Sequence, residues 1–105
     1  MELTGKCKED FEKWLFSSIN NWVIDEITHQ EYYGENMFYQ LPESMQYGVY
    51  VDFFDSVGMY VETYYAGLAV YEVIVNEQGY NLCITRQKAR TAAIKKACEI
   101  YNNIN

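Results

Sequence analysis

The sequence predicts an α+β fold: a three-stranded antiparallel sheet with helices packed on it, in the order α-α-β-β-β-α. Three observations carry that expectation. An apolar stripe between Pro42 and Gly58 has a helix-start signal at one end and a helix-stop signal at the other. Three β-rich runs, 59–65, 68–75 and 80–84, follow at turn-length spacing. The last segment, 86–102, opens on Thr85, a good N-cap, and repeats alanine every four residues.

Taken in order, the first element is a helix that begins at residue 5 and extends to about residue 28, clearest over 5–19. Cys7, Phe11, Trp14, Leu15, Ile19 and Trp22 recur at three- and four-residue steps and form one apolar stripe. Thr4 reads as its N-cap, with Glu9, Asp10 and Glu12 near the positive end of the dipole. Ser17, Ser18, Asn20 and Asn21 weaken the pattern, so the helix stops near Asn20 or bends before Trp22. The stretch 30–41, with Gly34 and mixed aromatic and polar residues, reads as a loop.

Residues 42–57 fit a helix better than a strand. Polarity does not alternate from Tyr47 to Phe54, whereas Met45, Val49, Phe53 and Val57 fall at four-residue steps. In the sheet, Ala66-Gly67 has the length of a two-residue hairpin turn, and Asn76 to Gly79 reads as a four-residue turn with Gly79 at positive φ. That register places Tyr60, Tyr64, Tyr71, Val73, Val75, Tyr80, Leu82 and Ile84 on one face, and Met59, Val61, Leu68, Val70 and Ile74 on the other. Both faces are apolar, so either the N-terminal helix or another chain covers the second one. On the final helix Ala89, Ala93, Ala97, Ile100 and Tyr101 line one side, with Lys88, Lys95 and Lys96 pointing away.

A chain of 105 residues suits a single domain spanning 1–105. Half the residues are apolar, so a core forms without metal or disulfide staples. An aromatic content of 17%, with eleven tyrosines, argues against disorder. Cys7, Cys83 and Cys98 are odd in number and lack C-x-x-C spacing, which points to free thiols in a reducing cytosol. Charged residues from Lys6 to Lys13 occupy the place of a signal-peptide apolar region, and no apolar run is long enough to span a bilayer. A cytoplasmic protein is expected.

Charge is the most uneven property. Residues 1–46 hold three lysines against nine carboxylates, a balance of −6, and residues 47–84 hold five carboxylates with no Lys or Arg, −5. Residues 85–105 reverse the sign to +4, through Arg86, Lys88, Arg90, Lys95 and Lys96 against Glu99. One basic helix therefore sits on an acidic body whose net charge is −7.

No residue pattern supports catalysis. His29 is the only histidine and has no nucleophile beside it in sequence. Asp52 and Asp55 share a helix face at i, i+3, two oxygen ligands with no third, and a solvated acidic face is the simpler reading. The six glycines form neither G-x-G-x-x-G nor a phosphate loop. Neither cofactor nor metal is expected. Among the tyrosines, Tyr60, Tyr64 and Tyr65 are the candidate interface aromatics, because the phenol gives large contact area at low entropic cost. Arg86, Lys88, Arg90, Lys95 and Lys96 are the candidate contacts to an anion or partner, against the simpler reading that they pair with the protein's own carboxylates.

Residues 42–102 end in Thr85-Arg-Gln-Lys-Ala-Arg-Thr-Ala-Ala-Ile, which resembles the last helix of double-stranded RNA-binding domains, S-K-K-x-A-K-x-A-A-A. The resemblance implies an α-β-β-β-α layout and assigns Arg86 and Arg90 to two phosphate-binding positions. Gln87 departs from the third, and Ala66-Gly67 has no counterpart of that family's Gly-Pro-x-His loop. A second resemblance runs through Leu3-Thr-Gly-Lys-Cys-Lys-Glu-Asp-Phe-Glu-Lys-Trp, the Leu41–Gly58 stretch and the Thr85–Asn102 helix. These are similar to small uncharacterised proteins of phages and prophages in Bacteroidetes bacteria. That likeness implies stoichiometric binding, including inhibition of host defence, and no active site. The expectation is thus a non-catalytic, phage-derived protein that acts by protein–protein contact, with self-association through the second sheet face. The alternative is nucleic-acid binding through the basic helix.

Overall fold

A computed structural model describes residues 1–17 and 35–105. Ile19, Trp22, the carboxylates Asp25 and Glu26, and His29 lie outside the described residues. The elements are α1 (Gly5–Leu15), α2 (Glu35–Gln40), α3 (Glu43–Ser56), β1 (Val61–Gly67), β2 (Val70–Val75), β3 (Gln78–Cys83) and α4 (Arg86–Ile104). The α+β class and the order of the long elements are as the sequence predicts. A short helix, α2, stands where a loop was expected, and α1 stops at Leu15.

Local chemistry explains several boundaries. Ser17 ends α1 by donating both its hydroxyl (2.8 Å) and its backbone N–H (3.2 Å) to the Trp14 carbonyl. At the other end Thr4 has the extended backbone of an N-cap, yet its side chain caps nothing. The cap comes from α4: Asn102 Oδ1 accepts the Cys7 N–H at 2.8 Å, and Asn102 Nδ2 donates to the Thr4 carbonyl at 3.0 Å. Gly5 makes room for this amide, because it sits at φ +59° and a Cβ there would meet Asn102 at 3.1 Å. Helix α3 ends in a Schellman motif: Met59 N–H reaches the Phe54 carbonyl (2.8 Å), Gly58 N–H reaches that of Asp55 (3.1 Å), and Gly58 takes φ +81°. Met59 and Phe54 are both buried, the apolar contact that accompanies the motif. Thr85 caps α4 by accepting the Lys88 N–H at 3.1 Å.

The face that α3 buries is not the expected stripe. Met45 and Val57 are exposed, and the buried positions are Gln46, Tyr50, Phe53 and Phe54. Ring area decides this, since Tyr50 and Phe54 remove more apolar surface from water than Met45 and Val57 would. Gln46 is tolerated inside because its Nε2 donates to the Leu41 carbonyl at 2.9 Å and the Tyr39 carbonyl at 3.3 Å, satisfying the end of α2. Phe11 of α1 is the hub of the aromatic core, with ring centroids 4.8 Å from Tyr50, 5.2 Å from Phe38 and 5.4 Å from Phe53.

The sheet order is β1-β2-β3, antiparallel throughout. Its register corrects the one read from sequence. Val61 opposes Val75, and Thr63 opposes Val73, so both hairpin turns have two residues, Leu68-Ala69 and Asn76-Glu77. All four take positive φ, from +51° to +71°, as a primed turn requires. Gly67 (φ +90°) forms part of a bulge with Ala66 between Tyr65 and Gly67, and Gly79 pairs within β3 opposite Ile74. This register puts Val61, Val73 and Val75 together beneath α4, whose Ala89, Ala93 and Ala97 are fully buried against the sheet. Two non-glycine residues at positive φ cost about 1–2 kcal/mol each. Burying three valines returns roughly 1.5–3 kcal/mol apiece. Packing therefore wins over turn chemistry at Leu68-Ala69.

Tyr101 on α4 and Asp10 on α1 close the helical layer with a 2.5 Å hydrogen bond from phenol to carboxylate, and Lys6 lies 3.1 Å from the same carboxylate. The Tyr101 bond, aided by Lys6, holds the Asp10 carboxyl below its usual range. Burial first, then Asp10, pushes the Tyr101 phenol up to about 12. Asp10 contributes stability above its ordinary pKa and loses it as pH falls through the lowered value. Tyr101 contributes below its ordinary value near 10 and loses it as pH rises toward 12.

Two measurements check this layer. Asn102→Ala is expected to lower the unfolding free energy by about 1–2 kcal/mol in urea titration, the value of a lost cap plus an unpaired N–H. Urea midpoints followed against pH should fall both in acid and above about pH 10, and Tyr101→Phe should lessen the alkaline fall, leaving the part due to Tyr47 and Tyr50, whose phenols burial also raises.

Candidate functional site

Among the described residues, the helices that touch the sheet do so on one side, with α4 crossing the three strands and α3 meeting β1. The other side carries Glu62 and Tyr64 from β1 with Tyr60 just before it, Val70, Glu72 and Ile74 from β2, and Leu82 from β3, where Tyr64 opposes Glu72 and Glu72 opposes Leu82. Tyr64 is 55% and Leu82 70% exposed, and Leu68 at the β1–β2 hairpin tip is 98% exposed. Tyr60 donates its hydroxyl to Glu62 at 2.5 Å, which raises its own pKa. The Glu72 carboxylate lies over Gly79, where a Cβ would meet it at 3.1 Å. The face is therefore an alternation of aromatic or aliphatic groups with two carboxylates, and neither Lys nor Arg belongs to it.

Of the three candidate tyrosines, the structure brings Tyr60 and Tyr64 together on this open face and sends Tyr65 to the helix side. There the Tyr65 ring lies 5.2 Å from Tyr71, and the Arg86 guanidinium sits 5.5 Å from the Tyr71 ring centroid. The face expected from sequence mixed the two sides, because Tyr60, Tyr64 and Leu82 are open whereas Tyr71, Val73 and Val75 face α4. An odd slip in hairpin pairing exchanges faces in this way.

The basic helix separates into two groups. Arg86, Arg90 and Lys96 lie over the rings of Tyr71, Tyr47 and Tyr80, at 5.5, 5.4 and 4.7 Å from the centroids. A cation over a ring gives about 0.5–2 kcal/mol, more than the few tenths lost by placing a cation near a helix N-terminus. These cations are thus held by the protein's own tyrosines, and among the described residues the one ion pair on α4 is Lys96–Glu99 at 3.9 Å. Lys88 and Lys95 take part in no ion pair among the described residues. With Gln87, Asn81 and Thr91 they line a cavity of about 390 Å³ between α4 and β3. Gln87 also donates to the Glu43 carboxylate of α3.

Asp52 and Asp55 are exposed on α3, and among the described residues no group of three or more His, Cys, Asp or Glu is placed to hold a metal. No described helix is long and apolar enough to cross a membrane. Residues that sequence reasoning passed over are Glu62 and Glu72. Their signal was present, in the absence of Lys and Arg from 47–84. No protein-family model, curated protein or solved structure matches this chain.

The division among cations has a direct check. Arg90, half-buried with its Nε lacking a hydrogen-bond partner, is structural, so Arg90→Ala should cost about 1–2 kcal/mol of stability in urea titration. Lys95→Ala should stay within about 0.5 kcal/mol of the parent.

Proposed function

We propose that this chain is a non-catalytic binding protein whose open sheet face docks a partner protein through a basic, amphipathic segment. The observation that carries the reading is the composition of that face: exposed Tyr60, Tyr64 and Leu82 with half-buried Ile74, interleaved with Glu62 and Glu72 and with no compensating cation. Apolar side chains flanked by Lys or Arg complement such a surface in both hydrophobicity and sign. A second copy of the chain does not, because an isologous contact would set two faces that both carry Glu62 and Glu72 and no cation against each other. The strained Leu68-Ala69 turn fits the same reading, since it holds an exposed leucine at the hairpin tip at a local conformational cost. The phage setting implied by the sequence resemblance suits stoichiometric action, in which one small domain blocks one surface of a host protein.

The groove lined by Lys88 and Lys95 supports a second reading, nucleic-acid binding. Two free lysines on a chain of net charge −7 give at most a shallow salt dependence, a slope of about −2. With Arg86 and Arg90 lying over tyrosine rings, the matched phosphate-binding positions are engaged within the protein, which favours the protein-docking reading.

The test uses an amphipathic Lys/Leu peptide, its Glu/Leu counterpart and a duplex RNA, each titrated at low salt while amide shifts are followed by NMR. The basic peptide should shift residues around Tyr64, Ile74 and Leu82, and the charge-reversed pair Glu62→Lys and Glu72→Lys should weaken it at least about tenfold. Replacing Leu68-Ala69 by Asn-Gly should raise stability by about 1–2 kcal/mol while weakening the peptide, a separation of folding from binding. Preferential binding of the duplex, lost on Lys88→Glu and Lys95→Glu, would replace this reading with the nucleic-acid one. Binding of neither probe on the open face contradicts it.

A further inference from the structure

The outer edge of the sheet, on β3, is a second surface that docking on the open face leaves unused. β3 (Gln78–Cys83) stands last in the order β1-β2-β3, so one side of its backbone pairs with β2 and the other pairs with no strand among the described residues. Gln78 to Leu82 are exposed, and the strand carries no charged side chain. Such an edge accepts a further strand, because its outward N–H and C=O groups keep their hydrogen-bonding capacity. A bulge adds to this. Tyr80 and Asn81 stand between the pairs Ile74–Gly79 and Glu72–Leu82, two residues against the single Val73, which leaves part of their backbone unpaired with β2. Both side chains turn toward α4, Tyr80 beneath Lys96 at 4.7 Å and Asn81 into the groove that Lys88 and Lys95 line.

Helix α4 gives this edge a wall and a sign. α3 packs on α4 and on β1 and closes that side of the helix, whereas over β3 the flank of α4 stays open as the cavity of about 390 Å³. A neighbouring cavity of about 240 Å³ shares Asn81, Ala92 and Lys95 with it and continues the groove to Lys96. Among the described residues its one carboxylate, Glu99, pairs with Lys96 at 3.9 Å. Lys88 and Lys95 therefore set the charge of the groove, two turns apart on the helix and about 10 Å along its axis.

Complementarity selects among the occupants of this edge. A second copy of the chain, pairing edge to edge, would bring its own Lys88 and Lys95 to the same groove. A nucleic-acid backbone offers acceptors to the lysines but no donor to the outward carbonyls of β3. An extended acidic peptide satisfies both, since its backbone alternates donor and acceptor and its side chains on the α4 side recur about every 7 Å. We infer that the groove between β3 and α4 binds an acidic peptide in extended form, added to the sheet as a fourth strand on β3, with its alternate carboxylates directed at Lys88 and Lys95. The bulge keeps the paired stretch short, so the lysines supply the rest of the affinity. This site is separate from the open face, whose Glu62 and Glu72 repel the same peptide.

The test titrates the whole chain with an end-blocked peptide of alternating threonine and glutamate, about six residues long, at low salt, followed by NMR amide shifts and hydrogen exchange. Shifts should concentrate on Gln78–Cys83 and on the Lys88 to Lys95 flank of α4, and outward amides of β3 should exchange more slowly in the complex. Lys88→Glu with Lys95→Glu should weaken the peptide at least about tenfold, circular dichroism confirming that the variant is folded. N-methylation of the peptide separates pairing from charge and needs no protein variant. Methyl groups on the alternate set of amides that faces β3 should weaken binding at least about tenfold more than methyl groups on the other set. Equal binding of the two methylated forms, or shifts confined to the open face, would overturn the proposal. So would a duplex RNA that displaces the peptide and binds more tightly, or no binding at about 1 mM peptide.

Discussion

The structure depends on one close approach, that of α4 to the sheet. Ala89, Ala93 and Ala97 put no side chain beyond a methyl between the helix backbone and the strands. The space left is filled from below by Val61, Val73 and Val75, so these three residues must lie on the same face. Everything else in the sheet adjusts to that requirement. It fixes the hairpin register, moves the first turn onto Leu68-Ala69 in spite of their positive φ, and commits Tyr60, Tyr64, Ile74 and Leu82 to the opposite side. The exposed face is therefore a consequence of how tightly the covered face packs.

The same approach organises the charges. Residues 85–105 are basic on an acidic body, and ion pairing with nearby carboxylates is the first expectation for them. The tyrosines intervene instead. Tyr47 on α3, Tyr71 on β2 and Tyr80 on β3 present rings to Arg90, Arg86 and Lys96, so the cations bind α4 to α3 and to the sheet without any carboxylate being buried. This leaves Glu62 and Glu72 uncompensated on the open face, which gives that face its sign. Across the molecule, at the α1–α4 seam, Asn102 and Thr4 serve both the helix cap and the Cys98 sulfur, so the contacts that hold α1 in place also fix this buried thiol.

How far the sequence disclosed this depends on the range of each interaction. Signals confined to a few residues were legible: Pro42 and Gly58 around α3, Thr85 at the start of α4, and the three β-rich runs. What failed were decisions made by distant partners. Thr4 looked like the cap of α1, but the acceptor is Asn102 from the far end of the chain. The stripe of α3 turned by one position because Tyr50 meets the rings of Phe11 and Phe38 and Phe54 packs on Phe53. The hairpin register follows from burial under α4, and Ala66-Gly67 is a better local turn than the one used. Tyr65 was grouped with Tyr60 and Tyr64 by proximity in sequence, and strand alternation with the bulge at Ala66 parts them.

Val73 and Ile74 are adjacent in β2 and stand on opposite faces, so they report the central claim of one-sided covering most directly. Lysine placed at each in turn and followed by urea denaturation separates the faces. Val73→Lys should abolish the cooperative unfolding transition, because an ammonium beneath α4 has no partner. Ile74→Lys should keep that transition within about 1–2 kcal/mol of the parent. Equal damage at both positions, or greater damage at Ile74, would contradict a sheet with one covered and one open face.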